Sequence, residues 1–165
     1  MSPDLTLAPW PLPLARRLLD GGLEDRDRVH WHPGYPLAET IDVLAMLLGA
    51  HAAMDTLSAL PRWWVHEIRV QDQVVGDVGF HGPPAAAGPV VVEIGYAVVP
   101  ELRGRGIATR AVGLLLDLAW RDGAARVLAE TDDDNAASRA VLARAGFRRR
   151  LCGDWAIDRP TRGPA

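Results

Sequence analysis

The sequence predicts a mixed α/β layer fold, and three observations carry that prediction. After a short first strand, apolar residues recur at helical spacing up to about residue 53 and as strand-like runs from residue 63. Glycine- and proline-bearing turns punctuate the chain at intervals suited to alternating strands and helices. A strand, a glycine-rich turn and an amphipathic helix follow one another across Val98-Val99-Pro100-Glu101-Leu102-Arg103-Gly104-Arg105-Gly106-Ile107-Ala108-Thr109. The order is strand, two helices, three strands, helix, strand, helix, then one or two strands, which suits helices layered on a sheet.

Leu5-Thr6-Leu7 reads as the first strand. Pro13 opens a helix through Leu14, Leu18 and Leu19, proline being tolerated in a first turn. Gly21-Gly22 stops it. Residues 24–36 are polar and rich in His and Pro, as in a loop. Residues 39–53 form a second helix with Ile41, Leu44, Leu48 and Ala52 as its apolar stripe. Trp63–Val70 and Val74–Phe80 pair as a hairpin through Gln71-Asp72-Gln73. After the loop His81–Pro89, Val90–Val99 forms a long strand. The helix after the glycine turn presents Ile107, Ala108, Ala111, Val112, Leu115, Leu118 and Ala119 on one face and ends at Gly123. Ala125–Thr131 is a strand and Asn135–Ala145 a helix capped by Gly146. Phe147–Leu151 and Trp155–Ile157 pair as a closing hairpin.

At 165 residues, 48% hydrophobic and 24% charged, the composition is that of one globular domain, expected over residues 1–158 with a flexible tail at 159–165. A net charge of −3 argues against a general nucleic-acid surface. All 18 basic residues are Arg, which reads as codon bias in a GC-rich genome. Cys152 is the single cysteine, so an intrachain disulfide and a Cys-based metal cage are excluded, and a small buried apolar role is expected for it. Residues 1–10 lack the basic-then-apolar pattern of a signal segment, and no apolar run approaches the roughly 20 residues of a membrane span. A cytoplasmic protein without membrane partners is expected.

The glycine turn fits a loop that wraps a phosphate. Gly104 and Gly106 permit positive φ and close approach of the backbone. The amides opening the next helix lack partners within it, and the dipole there favours an anion. Arg103 and Arg105 add permanent charge. A Walker A reading fails because no Gly-Lys-Ser/Thr follows, and Gly104-x-Gly106-x-x-Thr109 lacks the third small residue of a dinucleotide fingerprint.

A second motif runs from Glu130-Thr131 through Asp132-Asp133-Asp134-Asn135-Ala136-Ala137-Ser138 to Ala145-Gly146-Phe147, where Asp134 or Asn135 can cap a helix. Glu93 is the one acid in the Val90–Val99 run, so it is either paired, solvent-facing or shifted upward toward a general base's range. His30, Trp31, His32 and Tyr35 cluster between the first two helices, but the His-x-His pair has no evident third ligand, and no metal is expected. Trp63, Trp64, His66 and His81 are open between packing and walling a site; His81 follows a central strand and could face the site, with a satisfied structural histidine as the plainer reading.

Arg103-x-x-Gly106-x-Ala108 resembles the acyl-CoA pyrophosphate loop of the GCN5-related N-acetyltransferase (GNAT) superfamily, and Asn135-x-x-Ser138 before Ala145-Gly146-Phe147 resembles its second cofactor-side motif. Val75–Phe80 and Glu93-Ile94-Gly95-Tyr96 are similar to the branch that includes the ribosomal-protein N-terminal acetyltransferases. The resemblance is strongest over Gln73–Leu151. It implies a mostly antiparallel twisted sheet of about six or seven strands flanked by about four helices, with a splayed strand pair at the acetyl-CoA site. It implies acetyl-CoA as co-substrate and direct transfer to an amine, either a peptide N-terminus or a small molecule. Val98, Val99 and residues Arg103, Gly104, Arg105, Gly106, Ile107, Ala108 and Thr109 would bind the cofactor. Glu93 would serve as base, with Asn135 and Ser138 on the thioester side of the cofactor. Many relatives carry a tyrosine on the second-motif helix as acid for the departing thiolate. Val141 and Leu142 stand there instead, so the acid is open between Ser138, water and none. A non-catalytic acyl-CoA-binding module of the same fold is the alternative, and homodimerisation, frequent among relatives, is left open.

Overall fold

A computed structural model describes residues 4–51 and 63–161. Among them seven strands build one sheet: β1 (Leu5–Pro9), β2 (Val65–Val70), β3 (Gln73–Phe80), β4 (Val91–Val98), β5 (Arg126–Ala129), β6 (Arg148–Arg149) and β7 (Trp155–Asp158). The accompanying α-helices are α1 (Leu12–Leu19), α2 (Ala38–His51), α3 (Ile107–Arg121) and α4 (Ala136–Arg144). The sheet order is β1-β2-β3-β4-β5-β7-β6. Every neighbouring pair is antiparallel except β4–β5. A parallel pair requires a crossover, and α3 supplies it.

Local chemistry accounts for the element ends. Pro13 sits in the first turn of α1, and Gly21, at φ 71°, turns the chain out of it. Gln71 and Asp72 both take positive φ, 50° and 68°, as the tight β2–β3 hairpin demands. Asn135 caps α4 through its side chain, and Gly146 at φ 94° ends it. The closing hairpin forms as β6 and β7.

Two details depart from the sequence pattern. The buried face of α2 is Thr40, Leu44 and Leu47, whereas Ile41 is exposed and Leu48 half-buried. The helix is rotated because Thr40 turns inward to a polar partner on the sheet. Ala52 and Ala53, expected in this helix, lie outside the described residues, as do residues 162–165 of the expected tail. Cys152 is exposed rather than buried. It sits in the turn between β6 and β7, where its thiol lies 2.7 Å from Asp154 Oδ1 and there is no core to enter.

One face of the sheet is covered by α3, whose Ile107, Ala111, Val112, Leu115, Leu116 and Ala119 are buried against β1, β3 and β4. Each of the Ile, Val and Leu side chains contributes about 1.5–3 kcal/mol by leaving water, and each Ala less. The other face carries a polar core. Trp10 Nε1 donates to the Tyr35 hydroxyl (2.8 Å), which donates to Asp77 on β3 (3.4 Å). The Thr40 hydroxyl donates to the same Asp77 oxygen. Burial pushes the Asp77 carboxyl up to about 7, against the opposing pull of the Thr40 and Tyr35 hydrogen bonds. Glu67, directly across on β2, is also raised by burial, countered chiefly by Arg69 at 2.7 Å.

Candidate active site

The ladder between β4 and β5 runs from Val91/Arg126 to Ile94/Ala129 and stops, while β4 stays paired with β3 to Val98. The two strands therefore splay. Val99 N donates to Val75 O on the β3 side (2.9 Å), so by strand alternation the main-chain groups of Tyr96 and Val98 face the gap. A cavity of about 400 Å³ opens there. Tyr96, Ala97 and Val98 form one wall and α4, through Asn135, Ala137, Ser138 and Val141, forms the opposite one. Its floor is the glycine turn, and Glu39 and Arg144 reach its rim.

The turn has the geometry of an anion cradle. Gly104 and Gly106 take φ 75° and 77°, a left-handed conformation that L side chains rarely adopt. Gly106 is the residue before α3, and α3 has neither a side-chain cap nor an acid in its first turn. The amides of Ile107, Ala108 and Thr109 thus present their N–H groups and the helix dipole without an internal acceptor. By contrast α4 is closed: Asn135 Oδ1 accepts from Ser138 N at 3.0 Å. Arg103 Nε donates to Val98 O (2.9 Å), tying the loop to the end of β4.

Of the residues singled out in the sequence, Val98, Arg103, Gly104, Gly106, Ile107, Ala108, Thr109, Asn135 and Ser138 line this one cavity. Three others do not. Val99 is fully buried with its amide engaged by Val75, and Arg105 is exposed with its guanidinium toward Glu101 O (3.4 Å). Glu93 lies further back on β4, paired with His81: Nδ1 is 3.0 Å from Oε1, and both side chains are 38% exposed. Tyr96 carries no site role in the sequence pattern alone. Its hydroxyl donates to Ser138 O at 3.1 Å, joining β4 to the first turn of α4, and burial raises its pKa. The signal for Tyr96 was its two-residue spacing from Val98, which puts both residues on the same edge and face of β4.

Beside Ser138 a second, wider cavity is lined by Glu130, Asp132, Asp133 and Asp154. Arg149 and Arg150 pair with Asp133 and Asp154, so this acidic turn is partly neutralised. In the loop before α2, Trp31 and Tyr35 are buried in edge-to-face contact at 5.4 Å, and His32 Nδ1 accepts from Gly34 N.

The family model described as "Acetyltransferase (GNAT) domain" matches residues 4–148. No curated protein matches the chain. Among solved structures, RimJ of Mycobacterium smegmatis in complex with CoA-disulfide is similar at 25% identity and a TM-score of 0.62, covering 93% of this chain and 81% of that one. The ribosomal-protein-S5-alanine acetyltransferase from Vibrio fischeri is 18% identical at a TM-score of 0.59, covering 93% and 92%. The protein yncA of Salmonella typhimurium, solved with its cofactor acetyl-CoA, is 17% identical at a TM-score of 0.60, covering 93% of each chain.

Proposed function

The chain belongs to the GNAT acetyltransferase family, an acetyl-CoA-dependent class, and from that premise we propose that it moves the acetyl group of acetyl-CoA to a primary amine by direct attack in a ternary complex. The observation that carries this reading is the uncapped start of α3 behind two left-handed glycines, opening into the gap between β4 and β5. The pyrophosphate sits on the amides of residues 106–109 with Arg103 and Arg105 nearby. The pantetheine arm runs along the Tyr96–Val98 edge of β4 as an added strand would. Ser138 and Asn135 flank the thioester. Main-chain N–H groups on that edge supply the donors that stabilise charge developing on the carbonyl oxygen. Glu93, paired with His81 on the acceptor side, serves the removal of the amine's proton.

The acceptor is a peptide N-terminus or a small-molecule amine, the first in keeping with the name of the similar ribosomal-protein-S5-alanine acetyltransferase from Vibrio fischeri. Residues 1–158 act as the catalytic unit, in a bacterial cytoplasm and without nucleic-acid or membrane partners. Among the described residues no helix is long and apolar enough to cross a membrane. A second reading, a non-catalytic acyl-CoA binder that works as a monomer or homodimer, is favoured by one observation: α4, Ala136–Arg144, carries no tyrosine.

Calorimetric titration with acetyl-CoA, followed by thiol release on adding peptides, polyamines and aminoglycosides, separates the two. Binding with thiol release on an amine supports transfer. Binding without release across the panel supports the binder, and no binding overturns the cradle.

A further inference from the structure

Glu93 stands behind a histidine. On β3 and β4 the register sets Asp77 opposite Ala97 and Gly79 opposite Gly95. One step on, His81 N donates to Glu93 O at 2.9 Å, so His81 and Glu93 oppose each other on that same face. The imidazole Nδ1 lies 3.0 Å from Glu93 Oε1. A carboxylate oxygen only accepts, so Nδ1 carries a proton, and in the neutral ring Nε2 keeps its lone pair. Among the described residues nothing hydrogen-bonds Nε2. The ring reaches from Glu93 over Gly95: a Cβ placed on Gly95 would lie 2.4 Å from Nε2. Ala97, the next residue on that face, about 7 Å along the strand, lines the acetyl-CoA cavity.

Resting on the acetyl-transfer reading, we propose that His81 Nε2 takes the acceptor's proton, with Glu93 a positioning residue that fixes the tautomer and holds the imidazolium. The sequence pattern alone leaves this histidine between a structural role and one facing the site; the register makes it the group between carboxylate and cofactor.

The step balances. Nε2 removes one proton from the acceptor ammonium, and the freed nitrogen lone pair attacks the thioester carbonyl carbon. The C–N bond forms and the C–S bond breaks as the thiolate leaves. The nitrogen's surplus proton passes to sulfur, giving the free thiol and the amide, and the imidazolium returns its proton to solvent. No acid from α4 is required, which accommodates a helix without tyrosine.

Gly95 supplies an independent lever. Gly95→Ala pushes the imidazole aside at the flexible end of its side chain while leaving His81 and Glu93 in the sequence. With the first amine that gives thiol release, His81→Ala is expected to lower kcat by about a hundredfold or more at little change in acetyl-CoA affinity. Added imidazole should restore part of it. Glu93→Gln should cost less than His81→Ala, and the double variant should be no slower than His81→Ala alone. Unaltered kcat in His81→Ala, or full additivity, would overturn the dyad. Nitrogen-15 NMR of the wild-type imidazole, with acetyl-CoA bound and at a pH where the ring is neutral, needs no acceptor: the ring proton on Nδ1 supports the assignment and the ring proton on Nε2 overturns it. A failure of acetyl-CoA to bind, seen by calorimetry on the same sample, sinks the acetyl-transfer reading itself.

Discussion

Replacing Asp77 with Asn should make the protein more stable at alkaline pH and remove most of the slope of its stability between pH 4 and 7. Asp77 is almost wholly buried, and the cost of burying its charge raises its carboxyl from 3.8 to about 7 in the folded chain. Between those values the folded protein holds a proton that the unfolded chain has released. Stability contributed by the neutral carboxyl is therefore complete below about pH 4 and is lost as pH rises through 7. At about 1.4 kcal/mol per pH unit the loss reaches about 4 kcal/mol by pH 8, a shift on the order of 10 °C in Tm for a chain of this size. Asparagine keeps an oxygen to accept from Thr40 and Tyr35 and has no charge to bury. Urea unfolding of both proteins at pH 5, 6, 7 and 8 tests this. Glu67 titrates in both and largely cancels in the difference. The advantage of the asparagine variant should grow by about 2.5–3 kcal/mol between pH 5 and pH 8; a difference constant across that range would refute an Asp77 held neutral by burial.

Gly106→Val places a β-branched residue at φ 77°, which should cost about 1–3 kcal/mol of stability and weaken acetyl-CoA binding at least tenfold by calorimetry; unchanged affinity removes the turn from the site. Asn135→Ala deletes the side-chain cap of α4 and should cost about 1 kcal/mol in urea unfolding; no loss means that water caps the helix equally well. Ser138→Ala should lower turnover with little change in acetyl-CoA affinity, and normal kinetics would take its hydroxyl out of the reaction.

Much of the architecture was legible because it is written locally. Helical and strand periods, the first-turn Pro13, the Asn135 cap and the glycines at 21, 104, 106, 123 and 146 act within a few residues of themselves. The phosphate-cradle reading was likewise local, since a strand, two left-handed glycines and a helix start are contiguous in the chain. Apolar periodicity failed on α2, because Thr40 goes inward to reach Asp77, 37 residues away, and a polar side chain with a buried partner does not read as core. It failed for Cys152 because a thiol in a hairpin turn has no interior within reach.

The sequence by itself determined the order of the elements, the mixed α/β class and the turn before α3, because backbone chirality, side-chain period and capping are properties of neighbours along the chain. Only the tertiary structure decided which groups meet. Register across β3 and β4 set His81 against Glu93, splaying of β4 from β5 exposed the Tyr96–Val98 edge, and the closure of α2 over the sheet buried Asp77. Strand register and the burial of a charge depend on contacts between segments far apart in sequence, and no local pattern encodes them.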